Sequence, residues 1–118
     1  MTADHPIRIV PNPRRVRVRL GDKTVVDTAR ALTLFEASYP GVQYVPREDA
    51  DMSLLTRTAH KTHCPYKGDA AYYSVTANGR TVENAVWTYE QPFPGVAEIS
   101  GYLAFYPNKV EITEDRGD

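Results

Sequence analysis

The stretch Tyr72-Tyr73-Ser74-Val75-Thr76-Ala77-Asn78-Gly79-Arg80-Thr81-Val82-Glu83-Asn84-Ala85-Val86-Trp87 decides the fold. Asn-Gly between two runs of β-branched and aromatic residues is a strong hairpin signal, because both residues of a two-residue turn take positive φ. A two-residue loop sets Ala77 opposite Arg80 and Val75 opposite Val82. Carried further, the same register sets Tyr73 opposite Asn84, Tyr72 opposite Ala85, Ala70 opposite Trp87 and Gly68 opposite Tyr89. Alternation splits the hairpin into two faces. Ala71, Tyr73, Val75, Val82 and Val86 form an apolar face. Tyr72, Ser74, Thr76, Thr81, Glu83, Ala85, Trp87 and Tyr89 form the other, polar near the turn and aromatic at the far end.

The segment feeding this hairpin is His60-Lys61-Thr62-His63-Cys64-Pro65-Tyr66-Lys67-Gly68. It brings a thiol and an ammonium to the aromatic end of the second face. A closed core does not accept Lys67 and Glu83 unpaired, so a pocket or groove floor is expected there. A plainer reading makes Trp87 and the tyrosines a second core layer with satisfied polar tips.

The chain has 118 residues, enough for one domain with one core, expected over about residues 7–113 with loose ends. Its net charge of −1 argues neither for nucleic acid nor for an acidic substrate. Eight tyrosines and nine prolines favour strands and turns over long helices. One cysteine excludes an internal disulfide framework and fits a reducing cytoplasm. No apolar run reaches the ~18 residues of a transmembrane helix, and the N-terminus lacks the apolar core of a signal peptide.

Taken in order, Ile7 to Val10 reads as a short edge strand ended by Pro11 and Pro13. Arg15 to Leu20 alternates as a half-buried strand, turning at Gly21-Asp22 into Thr24–Thr28. Its stripe of Arg15, Arg17 and Arg19 suits a solvated outer face, or a phosphate-reading one. Ala31–Glu36 and Val42–Val45 are further strands. Residues 47–55, acidic at their start, are expected to form one short helix. Val96–Ser100 is expected as a helical turn, Tyr102–Tyr106 and Val110–Thr113 as strands, with Pro107-Asn108 as a third hairpin turn. The expectation is a mostly β single domain of about seven to nine short antiparallel strands with one or two short helices.

Several of these segments resemble one family. They are Arg15-Val16-Arg17-Val18 with Gly21 and Asp27, Tyr44-Val45-Pro46-Arg47-Glu48-Asp49, Thr62, Cys64-Pro65-Tyr66-Lys67-Gly68, Ala71-Tyr72-Tyr73, Trp87-Thr88-Tyr89 with Pro92, and Gly101-Tyr102-Leu103-Ala104-Phe105-Tyr106. Together they are similar to the family catalogued as domain of unknown function 427. The resemblance implies a small single-domain bacterial or fungal protein with a mostly β fold of the β-tent kind, and it carries a nucleotidyltransferase-like label. The chain departs from that label: it has no Gly-Ser followed by paired aspartates and no phosphate-cradling glycine loop. β-Tent relatives hold zinc with two Cys-x-x-Cys knuckles, which a chain with one cysteine cannot build.

No reaction mechanism can be read from this pattern, so whether the protein is an enzyme stays open. The leading expectation is a small-ligand-binding module. Tyr39, Tyr66, Tyr72, Trp87 and Tyr89 supply walls beside His63 and Cys64, and Lys67 anchors an anion. The alternatives are an interaction domain whose aromatic patch is covered by a second copy, or an enzyme using Cys64, Lys67 and Glu83. A metal held by His60, His63 and Cys64 is awkward, because adjacent residues of an extended chain point apart. No cofactor, nucleic acid or membrane partner is expected.

Overall fold

The computed structural model describes residues 6–115. Ten strands form three antiparallel sheets. The strands are β1 (Ile7–Asn12), β2 (Arg15–Leu20), β3 (Lys23–Thr28), β4 (Ala31–Glu36), β5 (Val42–Tyr44), β6 (Leu55–Cys64), β7 (Gly68–Ala77), β8 (Arg80–Thr88), β9 (Leu103–Phe105) and β10 (Glu111–Asp115). The sheet orders are β1-β4-β5, β10-β2-β3 and β6-β7-β8-β9. The first and last of these are stitched together where Val45 and Leu103 exchange two backbone hydrogen bonds of 2.8 Å each.

The β6-β7-β8-β9 sheet is the middle layer. One of its faces packs Tyr73, Val75, Val86, Leu103 and Phe105 on Val16, Val18, Leu20, Val25 and Val26 of the β10-β2-β3 sheet. The opposite face packs Ala70, Tyr72, Tyr89 and Ala104 on Leu34 and Tyr44, with Val96 and Ile99 closing one end. Both sides of this sheet are therefore core, which explains why β7 is buried at eight of its ten positions. The outer arginine stripe on β2 is met by acids: Arg15 and Arg17 by Asp27, and Arg17 by Asp115 as well.

Several expectations are corrected. The hairpin register holds from Ala77↔Arg80 to Val75↔Val82 and then shifts, so that Tyr73 pairs with Val86, Tyr72 with Trp87 and Ala71 with Thr88. A bulge in β8 absorbs the shift: Asn84 takes φ 52°, and its amide donates to Ser74 Oγ at 3.1 Å. Asparagine tolerates this left-handed geometry better than most residues. Because the slip is by two residues, the faces of Tyr72, Tyr73, Val86 and Trp87 are preserved, while Ala85 joins the cluster around Val86.

Residues 47–55 form no single helix. Two 3₁₀ turns, Arg47–Asp49 and Met52–Leu54, flank an extended Ala50. Ala50 bridges to Val26, and the Asp51 amide donates to Val25 O at 2.8 Å, so pairing with β3 interrupts the helix. The Pro107-Asn108 turn makes no hairpin: β9 pairs with β8 and β10 with β2, so the chain changes sheets there. Finally, β6 is a tenth strand. It lies at a sheet edge and is exposed at most positions, so it carries no apolar alternation to reveal it. Pro11 also does not stop β1, which runs on to Asn12 as an edge strand where a missing N–H is tolerated.

Among the described residues no helix is long and apolar enough to cross a membrane. Of the ends expected to be loose, residues 1–6 and 114–118, residues 1–5 and 116–118 lie outside the described residues, while Glu114 and Asp115 are corrected: they pair with Val16 and Arg15 in β10.

Candidate functional site

The turn Cys64-Pro65-Tyr66-Lys67-Gly68 joins β6 to β7, with Cys64 paired to Gly68. Gly68 sits at φ 118°, a backbone conformation side chains rarely adopt, which accounts for glycine closing this turn. The Lys67 carbonyl accepts the Phe93 amide at 2.9 Å, fastening the turn to the loop after β8. The side chain of Lys67 then points inward and is 9% exposed. Its Nζ lies 2.5 Å from Glu36 Oε1 at the end of β4, and 5.9 Å from the centre of the Tyr89 ring.

Around that ion pair is a pocket of about 230 Å³ between the β1-β4-β5 sheet and the middle layer. Leu34, Val42 and Tyr44 form one side, and Tyr72, Trp87, Tyr89 and Tyr106 the other. The rings are held by their own polar atoms. Trp87 Nε1 donates to Tyr44 Oη at 3.1 Å, and the two rings meet edge to face. Tyr106 lies 4.5 Å from Trp87 by ring centres, and its hydroxyl is 3.3 Å from that of Tyr72. Thr62 Oγ1 lies 3.0 Å from the Tyr72 hydroxyl. Burial pushes the Tyr44 and Tyr89 phenols well above the ordinary tyrosine range, with Glu36 and Cys64 adding to the effect. Burial also pushes Tyr106 up to about 12. Among the described residues that line this pocket, Glu36 and Lys67 are the acid and the base.

Of the residues singled out from sequence, Lys67, Tyr72, Trp87 and Tyr89 are brought together here. Cys64 packs half-buried against the same aromatic cluster without lining the pocket. His63, Tyr39, Tyr66 and Glu83 are placed elsewhere. His63 turns to Asp69, with Nδ1 2.6 Å from Oδ1. Tyr39 and Tyr66 are 65% and 48% exposed. Glu83 lies exposed in the β8 bulge, where its backbone carbonyl accepts from Lys109. His60 packs on the Tyr72 ring while His63 faces Asp69, and among the described residues no three His, Cys, Asp or Glu side chains gather as a metal site.

Sequence reasoning missed Glu36, Tyr44 and Tyr106. Glu36 continues the inward stripe of Leu32 and Leu34 on β4, and an acid at the end of an apolar stripe was the available signal.

The other face of the β6-β7 pair carries a wider, polar groove of about 770 Å³, lined by Arg57, Lys61, His63, Asp69, Ala71 and Glu90 among others. Two pairs form within it, Arg57 with Glu90 and His63 with Asp69. Arg57 grips both oxygens of Glu90 at 2.8 and 2.9 Å, and Arg47 reaches Glu90 at 3.4 Å while donating to Tyr73 Oη and Gly101 O. Arg47 thus ties the turn before β6 to β7, β8 and the loop before β9.

The family profile described as Domain of unknown function (DUF427) matches residues 8–116. The chain belongs to that family. The Cys64–Gly68 turn and the Trp87–Tyr89 segment, which carry the resemblance, hold Lys67, Trp87 and Tyr89 on the pocket of this DUF427 protein, and the Gly101–Tyr106 segment ends on its Tyr106 wall. No curated protein matches the chain.

Proposed function

We propose that this DUF427 protein is a small-ligand-binding module whose site is the aromatic pocket, with Lys67 as the anchor for an anionic group. The observation that carries the reading is a largely buried ammonium among five aromatic rings in a preformed concavity. Apolar walls with a few polar anchors are the usual composition of a ligand site. A buried ion pair is weak support for stability, because desolvation offsets much of its attraction. Replacing such a pair with apolar residues is often neutral or stabilising, which leaves ligand recognition as a reason for its presence. A concavity of about 230 Å³ is of a size to seat a small molecule or part of a larger one.

The test uses the single tryptophan, which lies in the pocket wall. Titration with a metabolite and nucleotide panel should shift Trp87 emission for at least one compound, and that response should vanish in Lys67→Ala. A panel that moves neither emission nor melting temperature contradicts the proposal.

A further inference from the structure

The pocket holds hydrogen-bond donors that the fold does not use, and this step rests on reading the pocket as a ligand site. Tyr72 and Tyr106 engage their hydroxyls with each other, and Tyr72 with Thr62 as well. Tyr44 and Tyr89 differ. Tyr44 is 1% exposed, and its hydroxyl oxygen accepts the Trp87 indole N–H. Among the described residues the Tyr44 hydroxyl proton meets no acceptor. Tyr89 is 6% exposed, and among the described residues its hydroxyl has no hydrogen-bond partner. Buried hydroxyls are seldom left this way, so each instance calls for a reason. Lys67 adds to the surplus: an ammonium has three protons, and Glu36 accepts one.

These three residues line one pocket and stand close together. Lys67 Nζ lies 5.9 Å from the Tyr89 ring centre, and the Tyr44 phenol acts electrostatically on that of Tyr89. Burial keeps both phenols protonated at neutral pH, so they are available as donors. The group that complements several converging donors is an acceptor with several lone pairs. A carboxylate has about four such sites, enough for an ammonium and two phenols. It shares the Lys67 ammonium with Glu36 and displaces nothing. The remaining wall indicates what the carboxylate is attached to. Trp87 and Tyr106 are half-buried, with ring centres 4.5 Å apart, and both present ring surface to the pocket. Flat rings meet such surface in offset or edge-to-face contact. Inorganic phosphate has no body to cover it.

We infer that the pocket binds a planar organic carboxylate, its oxygens held by Lys67, Tyr44 and Tyr89 and its flat body lying against Trp87 and Tyr106. The experiment titrates benzoate, benzylamine and inorganic phosphate into the protein at matched ionic strength. Calorimetry and Trp87 emission are read together. The expected result is benzoate binding about tenfold tighter than either other probe, as a hydrogen bond to a charged group warrants. Tyr89→Phe separates a ligand role from a structural one. It removes a hydroxyl that the fold leaves unpaired, so its denaturant midpoint should match or exceed wild type while benzoate affinity falls about tenfold. Benzylamine or phosphate binding as tightly as benzoate overturns the inference. So does a Tyr89→Phe protein that binds benzoate unchanged, or one with a lowered midpoint. If benzoate is silent while a compound of the metabolite and nucleotide panel shifts Trp87 and loses that response in Lys67→Ala, the carboxylate is overturned and the pocket stands. Silence from every compound removes both.

Discussion

The amide of Asn84 donates to the hydroxyl of Ser74 at 3.1 Å, and this one contact across the β7-β8 pair sets which residue faces Tyr72. Without the bulge it closes, Tyr72 meets Ala85. With it, Tyr72 meets Trp87, and the indole arrives at the pocket wall.

Substitutions at the bulge should therefore be felt at the pocket. Asn84→Gly keeps access to φ 52° and should be tolerated. Asn84→Val, β-branched, should cost about 1–2 kcal/mol. Ser74→Ala should cost about 1 kcal/mol and loosen the register. Urea denaturation gives the energies, and the Trp87 emission maximum in the folded state reports whether the indole has moved.

Removing one member of the buried pair should hurt more than removing both. Glu36→Ala takes the carboxylate away from the buried Lys67 ammonium and should cost about 3–5 kcal/mol. The Lys67→Met/Glu36→Gln double variant should recover much of that loss. Denaturant midpoints of the three proteins settle the order, and a double variant less stable than Glu36→Ala contradicts the stranded-charge explanation.

Acid should act through Glu90 and Asp49. Hydrogen bonds from Arg57 hold the Glu90 carboxyl below its usual range, and bonds from Arg30 and Thr28 do the same for Asp49. A depressed folded pKa gives stability that is present above the ordinary carboxylate value and lost as pH falls through the lowered one. The Arg57→Ala and Arg30→Ala proteins should show flatter acid limbs than wild type in pH-dependent melting.

Alkali should act in the opposite sense through Tyr106, whose phenol is pushed up to about 12 by burial and by its neighbour Tyr72. Its contribution is intact below the ordinary tyrosine value near 10 and disappears as pH rises toward the folded one. Tyr106→Phe should weaken that alkaline loss, read from melting temperature against pH.

Tyr39 and Tyr66 provide a control. Both are exposed and neither lines the pocket. Tyr39→Ala and Tyr66→Ser should leave ligand affinity unchanged, while Tyr44→Phe, which deprives the Trp87 indole of its acceptor, should alter emission and weaken binding. Equal losses at Tyr39 and Tyr44 contradict the assignment of the walls.

How much of this was legible follows from where each signal lives. The Asn78-Gly79 turn, the β2 alternation and the Ala31–Glu36 strand are local patterns, and all three form. The β8 bulge was not legible, because it depends on a hydroxyl and an amide meeting across two strands. The edge strand β6 carries no apolar period, since little of it is buried. The helix expected over 47–55 lost to a long-range bridge between Ala50 and Val26. Lys67, Tyr72, Trp87 and Tyr89 could be gathered from register because the slip was even. Glu36 and Tyr44 come from strands far away in sequence, and only the packing of two sheets sets them opposite, while Tyr106 arrives through the pairing of β9 with β8.

The most direct test is the indole N–H resonance of Trp87 in a nitrogen-resolved NMR titration with the same metabolite and nucleotide panel. The chain has one tryptophan, so the resonance belongs to one place, where the indole donates to Tyr44. The account predicts a saturable shift of that signal together with the amides of Glu36 and Lys67. Shifts confined to Lys61, Asp69 and Glu90, with the indole unmoved, would place binding in the polar groove on the other face and contradict it.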